Sequence, residues 1–395
     1  MWSLGNELQI REGWAGFEGT NDWGITTYNI FNQLVKRWDN TRLTTVAMFP
    51  ARAGAITRHD KEFNDYLVPP ELACATEVAS FNYQSDKYDA YLKYKPDLIL
   101  FQSEAETSNL LQPYYNMDRK RTVGMAYWGS AEYWGESNKW PKKGWNYSFF
   151  DHTMRPYPQA YLIKSAFMPE IPEVHIGVVD AAGAESVSWN DVIVGRMALN
   201  ECWNHTPGSR QSLFTFTNAH SVELLVNGQS MGVQENDTTQ ANLRNMIYWK
   251  DVPYGNGGSV VAIARDKSGK EVARHHIETA GKAVALRIEA ETPADWKADG
   301  MDLQYINVTA IDKKGRPVWD YNKPLTLQME GAAWLVALDN GDHYTDELFH
   351  GITSKRMYQG RMQIILRSTK TPSNVKLEIS SADLKEKLSL KTSLK

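Results

Sequence analysis

Met1-Trp2-Ser3-Leu4-Gly5-Asn6-Glu7 decides how the first part of the chain is read. Met1 to Leu4 has the character of the end of a buried strand, and Gly5-Asn6-Glu7 forms a corner that leaves a carboxylate on the rim. Barrels and open parallel sheets gather their chemistry at the carboxyl ends of their strands, so a glutamate at such a corner is well placed to act on a bound molecule.

Outward from this corner, residues 1 to 168 alternate strand-like and helix-like stretches. After a Gly- and Trp-rich loop through Asn21-Asp22-Trp23-Gly24, Tyr28, Ile30, Phe31, Leu34, Val35 and Trp38 recur at helical spacing within Thr26 to Asp39. Strands are expected at residues 1–4, 43–49, 78–83, 98–101 and 123–128, with further helices at 60–67, 70–74, 87–94, 110–117 and 157–167. Leu98-Ile99-Leu100-Phe101 is fully apolar, as in a strand buried on both faces of a parallel sheet, and it ends in Gln102-Ser103-Glu104. Alternation of this kind implies parallel strands with crossover helices. It suits either a small doubly wound sheet or the second half of an eight-stranded barrel, and spacing does not choose between them.

The proline-punctuated stretch Met168-Pro169-Glu170-Ile171-Pro172-Glu173 reads as a linker, after which helical periodicity gives way to alternating strands. Ser212 to Thr217, Val222 to Val226, Ser259 to Arg265 and Glu271 to Glu278 form a first run, with Asn227-Gly228 a strong hairpin signal. Ala280-Gly281-Lys282 separates it from a second run that includes Val284 to Glu289, Tyr305 to Asp312, Leu325 to Met329 and Met362 to Arg367. Short strands at this spacing are what a pair of β-sandwiches gives.

A length of 395 residues calls for two or three domains. The net charge of −4, with no long run of either sign, argues against a nucleic-acid partner. No run of 18 apolar residues is present, which argues against a membrane span. The 14 Trp and 19 Tyr offer broad rings that suit sugar faces as well as cores. Cys74 and Cys202, far apart in sequence, point to free buried thiols rather than a disulfide framework. His59, His152, His175 and His275-His276 show no spacing of metal ligands. The sequons at Asn146, Asn204, Asn236 and Asn307 matter only in a pathway that glycosylates.

Glu7 and Glu104 each end an apolar strand and would reach the same face of a parallel sheet. Two carboxylates across a cleft are what glycoside hydrolysis needs, one protonating the leaving group and one attacking the anomeric carbon. A separation of about 5–5.5 Å retains configuration, whereas a wider one admits water and inverts it. The plainer reading places each glutamate at a helix N-terminus, where its charge suits the macrodipole. Glu106 lies beyond the strand end, and Glu132 and Glu136 fall in the loop after Trp128, where solvated or specificity roles are expected.

Trp2-Ser3-Leu4-Gly5-Asn6-Glu7 resembles the acid/base motif of glycoside hydrolase family 2, which includes β-galactosidases, β-glucuronidases and β-mannosidases. Asp39-Asn40-Thr41-Arg42-Leu43-Thr44 is similar to that family's turn into its next barrel strand, Phe81-Asn82-Tyr83 to its sixth strand, Leu98 through Glu104 to its seventh, and Tyr127-Trp128 to the end of its eighth. Cys202-Trp203-Asn204-His205 with Ser221 to Gly228 resembles the immunoglobulin-like domain after the barrel, and Leu338-Asp339-Asn340-Gly341-Asp342 a further appended domain.

The resemblance implies a multidomain fold: a partial (β/α)8 TIM barrel of strands 4 to 8 in residues 1–168, then two all-β immunoglobulin-like sandwiches at 169–281 and 282–395. It implies Glu7 as general acid/base, Glu104 as nucleophile, Asn6 on the sugar 2-hydroxyl, Tyr83 as a donor to Glu104 and Trp128 as a sugar platform. Packing is the plainer role for Tyr83 and Trp128. The expected activity is a retaining exo-β-glycosidase acting on terminal β-galactosides. A β-glucuronidase or other specificity on the same machinery is one alternative, and a catalytically inactive carbohydrate-binding or scaffold fragment another. Asn138-Lys139-Trp140 followed by Lys142-Lys143 is close to the family's uronate-binding Asn-x-Lys without matching it, and a solvated basic loop is the plainer reading. The resemblance also implies that the first half of the barrel precedes Met1, so the chain alone is expected to be inactive or poorly soluble, and export would depend on an upstream signal peptide. The expected partner is an oligosaccharide or glycoside. No organic cofactor is required; the resemblance leaves room for a structural or active-site metal ion and for a homo-oligomer, and the residues themselves support no metal site.

Overall fold

A computed structural model of the chain describes residues 1–7, 24–49, 69–107, 111–137, 139–180, 185–189 and 192–394. The loop through Asn21, Asp22 and Trp23, the helix expected at 60–67, His59 and Asn138 lie outside the described residues. The chain folds as two compact units: Met1–Ser130 with Ala182–Ala198 and Asp237–Arg244, and Ala131–Ala181 with Leu199–Asn236 and Asn245–Lys395. Among the described residues no helix is long and apolar enough to cross a membrane.

In the first unit, β1 (Trp2–Asn6), β2 (Thr44–Met48), β3 (Val78–Asn82), β4 (Leu100–Glu106) and β5 (Thr122–Trp128) form one sheet in that order, every neighbouring pair parallel. Between them run α1 (Ile25–Trp38), α2 (Glu71–Ala75), α3 (Tyr88–Tyr94) and α4 (Gln112–Asn116). Val46, Met48, Ala79, Phe81 and Leu100 pack with Tyr28, Leu72 and Tyr91 in a shared core. Pro70 precedes α2 and Pro113 stands in the first turn of α4, where a missing N–H is tolerated. Lys36 and Arg37 lie in the last turn of α1, matching its negative end. Asp39 then accepts from Thr41, the Trp2 indole and Arg42, which holds its carboxyl well below the usual range and ties the start of β1 to the turn before β2.

Three expectations change here. Strand β1 is not buried: Trp2 is 47% exposed, because β2 is its only neighbour among the described residues. Helix α1 forms as its spacing predicts, yet it buries only Tyr28 and leaves Ile30, Phe31, Leu34 and Trp38 exposed. Strand β4 does not stop at Phe101; pairing of Asn82 with Glu104 and of Glu106 with Trp128 carries it to Glu106, so Glu104 stands inside the strand. Backbone pairing is indifferent to side-chain polarity, and an apolar run alone therefore misplaces a strand end.

The second unit is built mainly of antiparallel sheets. After the short pair β6 (Tyr133–Trp134) and β7 (Gly144–Trp145), helix α5 (Pro158–Phe167) leads to β8 (Val174–Val179), which with β11 (Leu199–Asn200), β12 (Arg210–Thr217) and β15 (Met246–Pro253) forms a sheet ordered β11-β8-β12-β15. Facing it is the sheet β14-β13-β16-β17, made of β13 (Ser221–Val226), β14 (Gln229–Glu235), β16 (Ser259–Arg265) and β17 (Glu271–Glu278). Val222, Leu224 and Val226, every second residue of β13, meet Val174, Ile176, Leu213 and Trp249 in one core around Trp203. Asn227 and Gly228 make the two-residue turn the sequence predicts, both at positive φ, where Gly228 carries no steric penalty. Strand β14 lies at the edge of its sheet and is exposed throughout, Met231 and Val233 included. The intervening hairpin of β9 (Glu185–Trp189) and β10 (Val192–Arg196) belongs to the first unit, where Gly195 accepts from Thr107 Oγ1.

The last part repeats the arrangement. One sheet is ordered β18-β19-β23-β21, from β18 (Ala285–Ala290), β19 (Leu303–Ile311), β21 (Ala333–Asp339) and β23 (Arg361–Ser368). The other is ordered β22-β20-β24-β25, from β20 (Pro324–Glu330), β22 (Ser354–Arg356), β24 (Asn374–Ser380) and β25 (Lys385–Lys391). Ile306, Val308, Ile364 and Leu366 of the first meet Leu325, Leu327, Val375 and Leu377 of the second, with Trp296 buried beside them.

The 168–173 stretch is pinned: Asn218 donates to the Ile171 carbonyl at 2.7 Å and accepts from Glu173 N at 2.9 Å. Both cysteines are free, but Cys74 is exposed and Cys202 half-buried, so neither is the buried thiol expected. The short helix carrying Cys74 buries only Leu72 and Ala73.

Asn236 is buried, its amide donating to Thr217 O, Ala219 O and Asn245 Oδ1 while its Oδ1 accepts from Asn245 N at 2.8 Å. Asn236→Ala strands these groups away from water and should destabilise the fold by about 1–3 kcal/mol. A urea midpoint unchanged from the parent protein would show that the network carries no stability.

Candidate active site at the carboxyl edge of the parallel sheet

Because β1 to β5 are all parallel, their carboxyl ends lie along one edge of the sheet. Glu7 follows β1 directly, its N–H donating to Ala47 O at 2.7 Å and its φ of 53° lying in the left-handed region. A non-glycine residue there is uncommon and is held by its surroundings. Asn82, at the end of β3, is fully buried and sits between the flanking elements. Its amide donates to Asn6 Oδ1 at 3.1 Å and reaches Glu7 Oε1 at 3.4 Å, while its Oδ1 accepts from Ser103 Oγ at 2.7 Å.

Tyr83, also at positive φ, donates its phenol proton to Glu104 Oε2 at 2.6 Å and its backbone N–H to Glu104 O at 2.8 Å. Phe49, just past β2, meets the Tyr83 ring edge-on with centroids 5.4 Å apart. Glu7 and Glu104 are each only 9% exposed, so both carboxylates are held in largely dry surroundings with named donors. Trp128 closes β5 with its surface 36% exposed. Asn6 and Trp128 thus end β1 and β5, Glu7 and Tyr83 directly follow β1 and β3, and Glu104 stands two residues before the end of β4.

Local sequence pattern does not single out Asn82 and Ser103 as site residues. The available signal is an asparagine closing the strand Val78-Ala79-Ser80-Phe81, since asparagine is depleted from strands.

Of the other carboxylates, the Glu106 side chain lies outside the described residues. Glu136 is exposed and accepts from Tyr133 OH. Glu132 is not solvated as its loop position suggested. It is 4% exposed, accepts from Tyr157 OH at 3.0 Å and faces His343 Nε2 at 3.0 Å, a partner more than two hundred residues away that local reading does not supply. His152 lies against the same group; burial pulls its pKa down, but the hydrogen bond and charge of Asp339, with Glu132 and Asp151, outweigh this and hold it above the ordinary value.

Lys142 likewise leaves the expected solvated basic loop: it is 2% exposed and donates to Asn146 Oδ1 at 3.1 Å and Tyr147 OH at 3.0 Å. His175 and His275 converge on Glu201, where burial acts to raise the carboxyl pKa and the hydrogen bond and charge of His175 bring it down to about 2.

Two stretches of the chain match known domain families, one of them a C-terminal domain of glycoside hydrolase family 2. The family's C-terminal domain 5 matches residues 286–388, and a domain of unknown function (DUF4982) matches residues 208–273. The chain is similar to β-galactosidase BoGH2A of Bacteroides ovatus, 29% identical over 245 residues that cover 60% of this chain and 27% of that protein. Similarity to a β-glucuronidase of Formosa agariphila is 26% over 168 residues, covering 42% of this chain and 14% of that one. A solved glycosyl hydrolase family 2 member from Bacteroides cellulosilyticus shares the fold with a TM-score of 0.81 at 23% identity, covering 99% of this chain and 49% of its own. The chain thus spans about half the length of that structure and about a quarter of the galactosidase.

Asn82→Ala removes the amide shared by Asn6, Glu7 and Ser103 and should destabilise the first unit by about 1–3 kcal/mol. Asn82→Asp, which places a second carboxylate against Glu7, should be worse. Thermal melts in which Asn82→Asp matches the parent would contradict this account.

Proposed function

We propose that this chain carries the catalytic carboxylates of a retaining exo-β-glycosidase that hydrolyses terminal β-galactosides. The observation that carries the reading is the pair of largely buried glutamates on one sheet edge, Glu7 linked to Asn82 and Glu104 to Tyr83. In this reading residues 1–168 are the C-terminal half of a (β/α)8 barrel, strands 4 to 8. The sequential order β1-β2-β3-β4-β5 and the lack of an outer partner for β1 and β5 among the described residues support it. The two facing sheet pairs at 169–281 and 282–395 are then immunoglobulin-like domains.

Glu104 attacks the anomeric carbon while Glu7 protonates the departing glycosidic oxygen, giving a glycosyl-enzyme ester. Glu7, now a carboxylate, takes a proton from water as that water attacks the same carbon and releases Glu104. Tyr83 donates to one Glu104 oxygen and so fixes the carboxylate's orientation. Asn6 binds the 2-hydroxyl, and Asn82 steadies both Asn6 and Glu7. Trp128 offers its ring to the sugar face. This double displacement uses no organic cofactor.

A uronic-acid specificity on the same machinery is the second reading, favoured by the similarity to a β-glucuronidase. Engagement of the Lys142 ammonium by Asn146 and Tyr147 weighs toward a neutral sugar.

In the longest form expressed, the protein should release 4-nitrophenol from its β-galactoside in preference to the β-glucuronide. Glu104→Gln should abolish turnover, and Glu7→Gln should lower it about 10²–10⁴-fold. Undiminished turnover in Glu104→Gln would sink the assignment. Failure of the folded protein on a full β-glycoside panel would favour a binding or scaffold role.

A further inference from the structure

We propose that Glu132, His152 and His343 form a structural binding site for a zinc-type divalent cation. Glu132 Oε2, His152 Nδ1 and His343 Nε2 lie 3.0, 3.3 and 3.9 Å from one another. Tetrahedral zinc with bonds of about 2.0–2.1 Å sets its donor atoms about 3.3–3.4 Å apart, the middle of that range. The three side chains are at most 4% exposed. The donor set of two imidazoles and one carboxylate is one that zinc takes, with a fourth position left for water.

The surroundings match a ligand set that is oriented from outside. His152 Nε2 bonds Asp339 Oδ1 at 2.8 Å, which directs Nδ1 toward the other two ligands, and Tyr157 OH bonds the second Glu132 oxygen at 3.0 Å. Carboxylate-to-histidine and hydroxyl-to-carboxylate bonds of this kind are the usual outer shell of a bound metal. Each ligand also stands on braced backbone. Asp151 accepts from Thr153 N and Arg155 N in the turn that carries His152, and Asp339 and Asn340 accept from Gly341 N and Asp342 N just before His343.

Ring orientation separates this group from the other histidine-carboxylate triad. The His152 and His343 planes are 89° apart with nitrogen facing nitrogen, so their in-plane lone pairs can converge on one point. The His175 and His275 ring centroids lie 3.9 Å apart with planes tilted by 30°, and His275 Nδ1 already accepts from Ile176 N. With His275 Nδ1 committed to the backbone and His275 Nε2 3.9 Å from Glu201 Oε1, against 2.9 Å for His175 Nε2, that triad is a hydrogen-bonded cluster. A cation at the first site would clamp the loop after β5, which carries Glu132 and His152, to the turn after β21, which carries His343.

The test uses the whole chain, stripped with chelator and titrated with Zn²⁺ or Co²⁺ alone. One equivalent should bind and raise the melting temperature, and Co²⁺ should show the visible absorption of low-symmetry, four-coordinate cobalt. His152→Ala and His343→Ala should each abolish binding. Asp339→Asn, which keeps all three ligands, should weaken it about 10–100-fold. A folded parent protein that binds no stoichiometric Zn²⁺, or variants that bind as the parent does, would overturn the proposal. Glycosidase activity enters none of these readouts, so the outcome is independent of the proposed reaction.

Discussion

Parallel pairing of β1 through β5 is the constraint on which the candidate active site depends. A parallel sheet sends every carboxyl end to the same edge, so residues as far apart in sequence as Asn6 and Trp128 lie along one line. Glu7 and Glu104 stand on that line because of strand polarity, not because of any local affinity for each other. Asn82 then converts proximity along the edge into a hydrogen-bonded unit, since its amide serves Asn6 and Glu7 while its oxygen takes the Ser103 proton.

The β-rich part follows a different rule. Alternate residues of β13, β19 and β24 point inward, and two facing sheets share one core in each case. Polar groups enclosed by this packing must find partners within the protein. Asn236 does so through four bonds, and Lys142 through Asn146, Tyr147 and the face of the Tyr147 ring. The cluster of Glu132, His152, His343 and Asp339 is the most concentrated example, since it gathers two imidazoles and two carboxylates in one largely buried place.

Much of the secondary structure was legible in residue patterns. Helical spacing marked α1, apolar runs marked β2, β3 and β5, and Asn227-Gly228 marked the turn between β13 and β14. Legibility failed where pairing or long-range contact decides. Strand β4 runs through Gln102, Ser103 and Glu104 because its neighbours on both sides continue to pair with it. Helix α1 has an apolar stripe that periodicity reads as buried, but burial depends on what lies opposite, and only Tyr28 finds a core. The loop after Trp128 reads as polar and solvated, yet Glu132 and Lys142 are enclosed by residues that arrive from elsewhere in the chain.

By itself the sequence determined the alternation of strand and helix, the change to antiparallel sheet near residue 170, and the residue types at the strand ends. Those follow from periodicity, turn chemistry and motif, which are local properties. Tertiary structure alone decided that Asn82 bridges Asn6 to Glu7, that Tyr83 donates to Glu104, and that His343 meets His152 across 191 positions. The reason is geometric: these contacts are set by strand polarity, sheet register and the packing of distant turns, and none of these is a property of the residues nearby in sequence.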